Sequence, residues 1–341
     1  MSRLLSTVSA ITFIAGTYAS ADVPKVVADI APIHSLVSRV MDGVGEPKLI
    51  VPNETSPHDY RLRPADAEAI EDANLVFWMG EGLTPWMERA LEALSNDTDI
   101  IEFLALEEST LLSFREGALF EAHDHSDHDD HDDHDDHDDH DDHDKDHDDH
   151  DDHDDHDDHD DHDDHAGHDH GEYDPHAWLS TNNAKTWLNV IAARLSSIDP
   201  DNAGAYFANA SEARGEMDAL DIEINAMLDP VRGGKFVVFH DAYQYFETVY
   251  DFPASGAISL GDASDPSAAR VAEIANRIKS ENIACVLSEP QFNAGLVKTV
   301  MGGTDATTEV IDPLGFGIEP GKSLYPKLIR AMAQSLVNCL K

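Results

Sequence analysis

The sequence predicts an α/β protein: two Rossmann-like lobes with parallel sheets, linked by one long helix and interrupted by a disordered His/Asp-rich loop. Three observations carry this. Short apolar runs alternate with helix-patterned segments on both sides of the middle of the chain, the pattern of βαβ units. Between the two alternations, apolar residues recur by threes and fours over more than 20 residues. Finally, the 48 residues from His123 to His170 hold 17 His and 27 Asp and can build no core.

In chain order, Lys25–Ile30, Lys48–Val51 and Leu75–Met79 read as buried strands. Helical spacing fills the gaps, over Ile33–Met41 and over Pro64–Ala73, where Pro64 suits a first turn. After the tract, Trp178–Ile198 reads as a helix, and Asp199-Pro200 opens a longer one with the stripe Tyr206, Phe207, Ala210, Ala213, Met217, Leu220, Ile224 and Met227. At about 27 residues this helix would be near 40 Å long. Asp229-Pro230 and Gly233-Gly234 end it. The alternation then restarts with strand Lys235–Phe239, helix Tyr243–Val249 and strand Ala254–Leu260. Helix Pro266–Ser280, capped by Asp265, precedes strand Ile283–Leu287, helix Ala294–Met301, strand Glu309–Ile311 and a last helix Leu324–Cys339. The division that follows is a signal peptide over 1–21, an N-terminal lobe over 22–200 with the loop at 122–171, a linking helix over 201–230 and a C-terminal lobe over 231–341.

The N-terminus carries one Arg, an apolar run and Ala19-Ser20-Ala21, a cleavage pattern that predicts export and a mature chain starting at Asp22. A bacterial periplasm fits best. In that oxidising compartment the only two cysteines, Cys285 and Cys339, read as a disulfide, with two buried thiols as the alternative. Closing that loop is worth about 4 kcal/mol in the chain-entropy description. One lysine against 27 aspartates gives the tract more than half of the net charge of −47, and the rest of the chain is acidic too, so nucleic acid is not an expected partner. Without apolar side chains the tract cannot offset its ordering entropy. Its imidazoles and carboxylates suit divalent metals, a solvated acidic linker being the bland alternative. The run from His123 to His128 matches HxHxDH, as in metallo-β-lactamase-type hydrolases, but a repeat of His and Asp yields such a match by composition alone.

Four histidines lie outside the tract: His34, His58, His176 and His240. His240 follows the strand KFVVF at its carboxyl end, where parallel sheets form their ligand crevice. His58 follows KLIV after a Pro-containing turn, and His176, in Asp174-Pro175-His176, stands just before a helix. One such histidine is more often structural. Three at loop positions, in an exported chain with a histidine tract, point to a metal site, and three neutral imidazoles suit tetrahedral Zn²⁺ with a fourth place for carboxylate or water. Asp312, at the end of a strand and before Pro313, is the preferred carboxylate, its alternative being a turn cap. Asp59 and Asp241 each follow a histidine and could orient an imidazole or turn the chain; His34 is expected at the rim or behind a ligand.

Pro57-His58-Asp59-Tyr60, Leu62-Arg63-Pro64, Asp174-Pro175-His176-Ala177-Trp178, Phe239-His240-Asp241-Ala242-Tyr243, Ser288-Glu289-Pro290-Gln291-Phe292 and Asp312-Pro313-Leu314-Gly315 resemble the zinc-binding periplasmic solute-binding proteins of ABC importers, in order from about Val26 to Leu340. The resemblance implies two α/β lobes joined by a rigid helix, with Zn²⁺ bound between them on His58, His176 and His240 as a transported ligand, and no enzymatic activity. It places the family's His-rich loop on the tract and its C-lobe disulfide on Cys285 and Cys339. One departure is Pro57, where some zinc members carry a glutamate that can ligate. His240, in place of the carboxylate usual in manganese-type relatives, argues for zinc. Implied partners are a membrane permease with its cytoplasmic ATPase and, as a further candidate, a periplasmic metallochaperone; the chain is expected to act as a monomer. Two rivals are an exported zinc hydrolase, for which no H-E-x-x-H or G-x-S-x-G pattern appears outside the tract, and a zinc buffer or adhesin without transport.

Overall fold

In the computed structural model, residues 23–95, 98–115, 173–259, 266–291 and 294–341 are described. The expected signal peptide, the His/Asp-rich loop and the Asp265 cap lie outside them. The N-terminal half runs β1 (Val26–Ala28), α1 (Ala31–Val40), β2 (Lys48–Leu49), α2 (Pro64–Glu71), β3 (Leu75–Trp78), α3 (Pro85–Leu94) and β4 (Asp99–Glu102). Its four strands are all parallel, in the order β2-β1-β3-β4. Sequence patterning misses α3 and β4. The strand DIIE is too short and too polar at its ends to read as a buried run, although Pro85 sits in the first turn of α3 as a start signal.

Two helices follow, α4 (Thr181–Ile198) and the 26-residue α5 (Ala203–Leu228). The Ser180 hydroxyl caps α4 by accepting from the amide of Asn183. The buried stripe of α5 is Tyr206, Ala210, Ala213, Met217, Leu220, Ile224 and Leu228. Phe207, expected in it, is 51% exposed. One residue is a rotation of about 100° on a helix, which carries Phe207 off the face that Tyr206 occupies.

The second half repeats the first topology with β5 (Phe236–His240), α6 (Gln244–Tyr250), β6 (Ala257–Ser259), α7 (Ala268–Glu281), β7 (Cys285–Ser288), α8 (Ala294–Val300) and β8 (Thr307–Val310), closed by α9 (Leu324–Leu340). The strands are again parallel, in the order β6-β5-β7-β8. At the start of α7 the Ser267 hydroxyl accepts from the amide of Arg270 and caps the helix. Cys285 and Cys339 form a disulfide with a Cα separation of 5.5 Å, tying the start of β7 to the end of α9.

The two sheets do not close off separate cores. One continuous cluster of buried side chains takes in Val27 and Phe77 from the first sheet, Ile191, Leu220 and Leu328 from the long helices, and Val238 and Leu287 from the second sheet. A smaller cluster, with Val237, Ile274 and Val286, covers the opposite face of the second sheet. Polar ties reinforce the junction. The Tyr325 amide donates to the Ser35 hydroxyl at 2.9 Å, the Tyr325 hydroxyl donates to the carbonyl of Trp178 at 2.8 Å, and the Asn53 side-chain amide donates to the carbonyls of Gly315 and Ile318.

Candidate metal centre

Both sheets reverse strand order at their third strand, and in open parallel sheets the crevice at that reversal is where ligands bind. In the second sheet the reversal lies between β5 and β7, and two side chains meet there. His240 is the last residue of β5 and Glu289 follows β7 directly. Glu289 Oε1 lies 2.6 Å from His240 Nδ1, and both side chains are almost wholly buried.

His176 has the same kind of support. After Asp174-Pro175 the chain enters a short 3-10 turn, Ala177–Leu179. Asp174 Oδ1 accepts from the amide of His176 at 2.9 Å and lies 2.7 Å from its Nδ1. Asp174 is 1% and His176 5% exposed, so water competes little for this pairing. An ionised carboxylate can only accept, which places a proton on Nδ1 of each imidazole; in the neutral ring the lone pair is then on Nε2. These two Nε2 atoms face each other at 3.3 Å.

His58 arrives on a loop from the N-terminal half and is half-buried. The loop is pinned on both sides. Trp86 Nε1 donates to the Pro57 carbonyl at 2.8 Å, and the Tyr60 hydroxyl donates to Asp66 at 2.6 Å. Burial alone would raise the Asp66 carboxyl, but hydrogen bonds from Arg63 and Tyr60 hold it below the usual carboxylate value. The His58 ring centroid lies 6.0 Å from that of His176, and all three imidazoles line one small cavity with Glu289, Gln291 and Leu314. Among the described residues no group of three His, Cys, Asp or Glu stands in metal-holding geometry.

The structure does not bring Asp312 into this wall. Its carboxylate accepts from the amides of Leu314 and Phe316 and from the Gln291 side chain, closing its own turn. Burial raises its pKa while those hydrogen bonds oppose the rise. Asp312 thus stands one side chain back, behind Gln291, with the turn-capping role that was its alternative. His34 also departs from expectation: its Nε2 lies 3.0 Å from the Pro47 carbonyl, and it packs within the N-terminal half, not at the cavity. Burial pushes its pKa down. Asp59 is exposed, and Asp241 pairs with Arg115 instead of turning an imidazole. The carboxylates that orient the rings are Asp174 and Glu289. Asp174 was legible as an acid two residues before His176; Glu289 becomes visible only when β5 and β7 are known to be neighbours.

Among the described residues no helix is long and apolar enough to cross a membrane. The family profile described as "Zinc-uptake complex component A periplasmic" matches residues 26–339. The high-affinity zinc uptake system protein ZnuA of Brucella abortus is 47% identical over 343 residues, covering 100% of this chain and 99% of that protein. Its counterpart from Paracoccus denitrificans is 46% identical over 323 residues, covering 94% and 93%. A crystal structure of ZnuA superposes with a TM-score of 0.69 at 22% identity, covering 94% of this chain and 100% of that one, a likeness of fold. Sequence, topology and relatives agree: this chain belongs to the ZnuA family of zinc-uptake proteins.

Proposed function

We propose that this chain is the zinc-binding component of an ABC-type zinc importer, taking one Zn²⁺ onto His58, His176 and His240 and passing it to a membrane permease driven by an ATPase. The 3.3 Å between the Nε2 atoms of His176 and His240 carries this reading. Two lone pairs turned on each other repel unless a cation lies between them. Two nitrogens on one tetrahedral zinc, with Zn–N near 2.0–2.1 Å, stand about 3.3 Å apart. Carboxylates on the far nitrogens raise the basicity of both imidazoles and fix their orientation.

His58 is the third nitrogen, and the fourth coordination place stays open for exchange. Zinc here is cargo, and the chain is a carrier, not an enzyme. The periplasm is its compartment, the monomer its working form, and a periplasmic metallochaperone a further source of its ion; the export signal at 1–21 supports the first of these. Nitrogen ligands favour zinc over the harder manganese ion. Competition titration of Zn²⁺ against Mn²⁺, on the whole chain and on His240→Ala, tests the assignment. Zinc should win in the first and lose its tight binding in the second. Equal affinity for the two metals, or tight zinc binding in His240→Ala, would sink it.

A further inference from the structure

Arg115 is a buried cation that the three-histidine site does not use. Its side chain is 16% exposed, and it reaches from the N-terminal half to two carboxylates of the C-terminal half, Asp241 and Glu247, each 6% exposed. Nε donates to both oxygens of Asp241 at 3.0 Å, Nη1 donates to Glu247 at 2.7 Å, and Nη2 donates to both residues. Asp241 is the residue after His240. Glu247 is fixed in turn by the amide of Ala254, which donates to it at 3.0 Å.

The short segment that carries Arg115 also holds the other histidine. The Leu112 carbonyl accepts from the amide of Asp174 at 2.8 Å, and Ser113 bridges to Tyr173. The Tyr245 hydroxyl accepts from the Leu112 amide at 3.0 Å and donates to the Asp174 carbonyl at 2.8 Å. Residues 112–115 therefore grip, within four positions, both the Asp174–His176 turn and the His240–Asp241 turn. Those are the two turns whose imidazoles must be held 3.3 Å apart.

We propose that Arg115 is a positioning residue of the zinc site: with Tyr245 it clasps the His176-bearing and His240-bearing turns to one scaffold and thereby sets how slowly zinc leaves. This deepens the three-histidine reading and rests on it. The guanidinium fork is needed because it engages two carboxylates at once through parallel N–H bonds, which a single ammonium cannot do.

The experiment compares zinc dissociation into excess chelator, zinc association, and the visible bands of the Co²⁺-loaded protein across four forms of the full chain. Removing Arg115 alone would strand two buried carboxylates and endanger folding, so the neutral variant is the triple Arg115→Met, Asp241→Asn, Glu247→Gln. It should release zinc about 10- to 100-fold faster, the usual cost of losing an outer partner of a metal ligand, with an unchanged association rate and shifted Co²⁺ bands. Arg115→Lys, which keeps the charge, should fall between wild type and the triple, and decides the matter if the triple fails to fold. His240→Ala is the fourth form. Should it keep tight zinc binding, the site itself is misassigned; should it lose zinc while both Arg115 variants keep the wild-type dissociation rate and Co²⁺ bands, the clasp is overturned. A lowered melting temperature of the zinc-free variants with wild-type dissociation also overturns it, because the ion pair then serves the fold alone.

Discussion

The two sheets have the same strand order but close their switch points differently. After β1 stands Asp29, wholly buried, with one oxygen accepting from the Ile30 amide at 2.7 Å and the other from the Met79 amide beyond β3, also at 2.7 Å. His240 ends β5 and Glu289 follows β7, and the two are joined through a single ring nitrogen. Both pairings stitch the first strand of a sheet to the third. The first turns both carboxylate oxygens to backbone amides. The second joins side chain to side chain and turns the remaining imidazole nitrogen toward the cavity. One topology thus yields a seal in one half and a cavity-facing nitrogen in the other, by the choice of side chains around the strand ends.

The sharpest way to break this comparison is to remove that nitrogen. His240→Ala should weaken zinc binding by more than the roughly 100-fold upper range for outer partners of ligands, measured by competition with a chelator of known strength. A smaller loss would place the ligating atoms elsewhere. Next comes the stitch. Glu289→Gln keeps the size of the side chain but cannot impose the same proton placement on Nδ1, and should cost about 10- to 100-fold in zinc affinity; Asp174→Asn should act likewise on His176. Wild-type affinity in both variants would mean that packing alone orients the rings.

The seal should answer to protons instead of metal. Burial pushes the Asp29 carboxyl up to about 7, against its backbone hydrogen bonds, from an ordinary value of 3.8. A raised folded-state value means that the folded protein takes up a proton. The resulting stabilisation is complete below 3.8 and disappears as pH rises through about 7. The melting temperature of zinc-free wild type, relative to Asp29→Asn, should therefore fall across that interval; a pH-independent difference would show that Asp29 does not titrate there. The smallest effect is expected from removing residues 122–171. The tight zinc site should keep its affinity in calorimetry, and only weaker binding should vanish, because the three histidines proposed to hold the tight ion lie outside that segment.

Much of the fold was legible because apolar runs and helical spacing report burial directly. The element boundaries near Val26, Pro64, Phe236 and Leu324 follow from them. The three histidines were legible for a related reason, since their loop and strand-end positions can be read along one dimension. Their supports were less so. A carboxylate after a strand can ligate, cap a turn or hold a ring, and the sequence does not rank these roles. Asp312, the carboxylate preferred for a fourth place that water could also fill, caps its own turn, whereas Glu289 holds a ring. Arg115 gave no signal at all. A lone arginine ahead of an acidic tract looks like a solvated charge until the fold brings Asp241 and Glu247, more than 120 residues later, around it.

The buried cluster that runs unbroken from the first sheet to the second also bears on how cargo is surrendered. Swinging the halves apart like a clamshell would open a cluster that both sheets share, with Val27 and Phe77 from the first and Val238 and Leu287 from the second. At about 25 cal/mol for each Å² of apolar surface wetted, a wide opening is a costly route for an ion that must be handed over many times. Local loosening is cheaper. The His58 loop is half-exposed and pinned by a few polar contacts at Trp86 and Asp66, while the other two rings are sunk in the protein and braced by carboxylates. On the proposed three-histidine site, a docking partner that displaced that loop would take zinc from three nitrogens to two without disturbing the interior, which frames delivery as the unfastening of one ligand at the doorway.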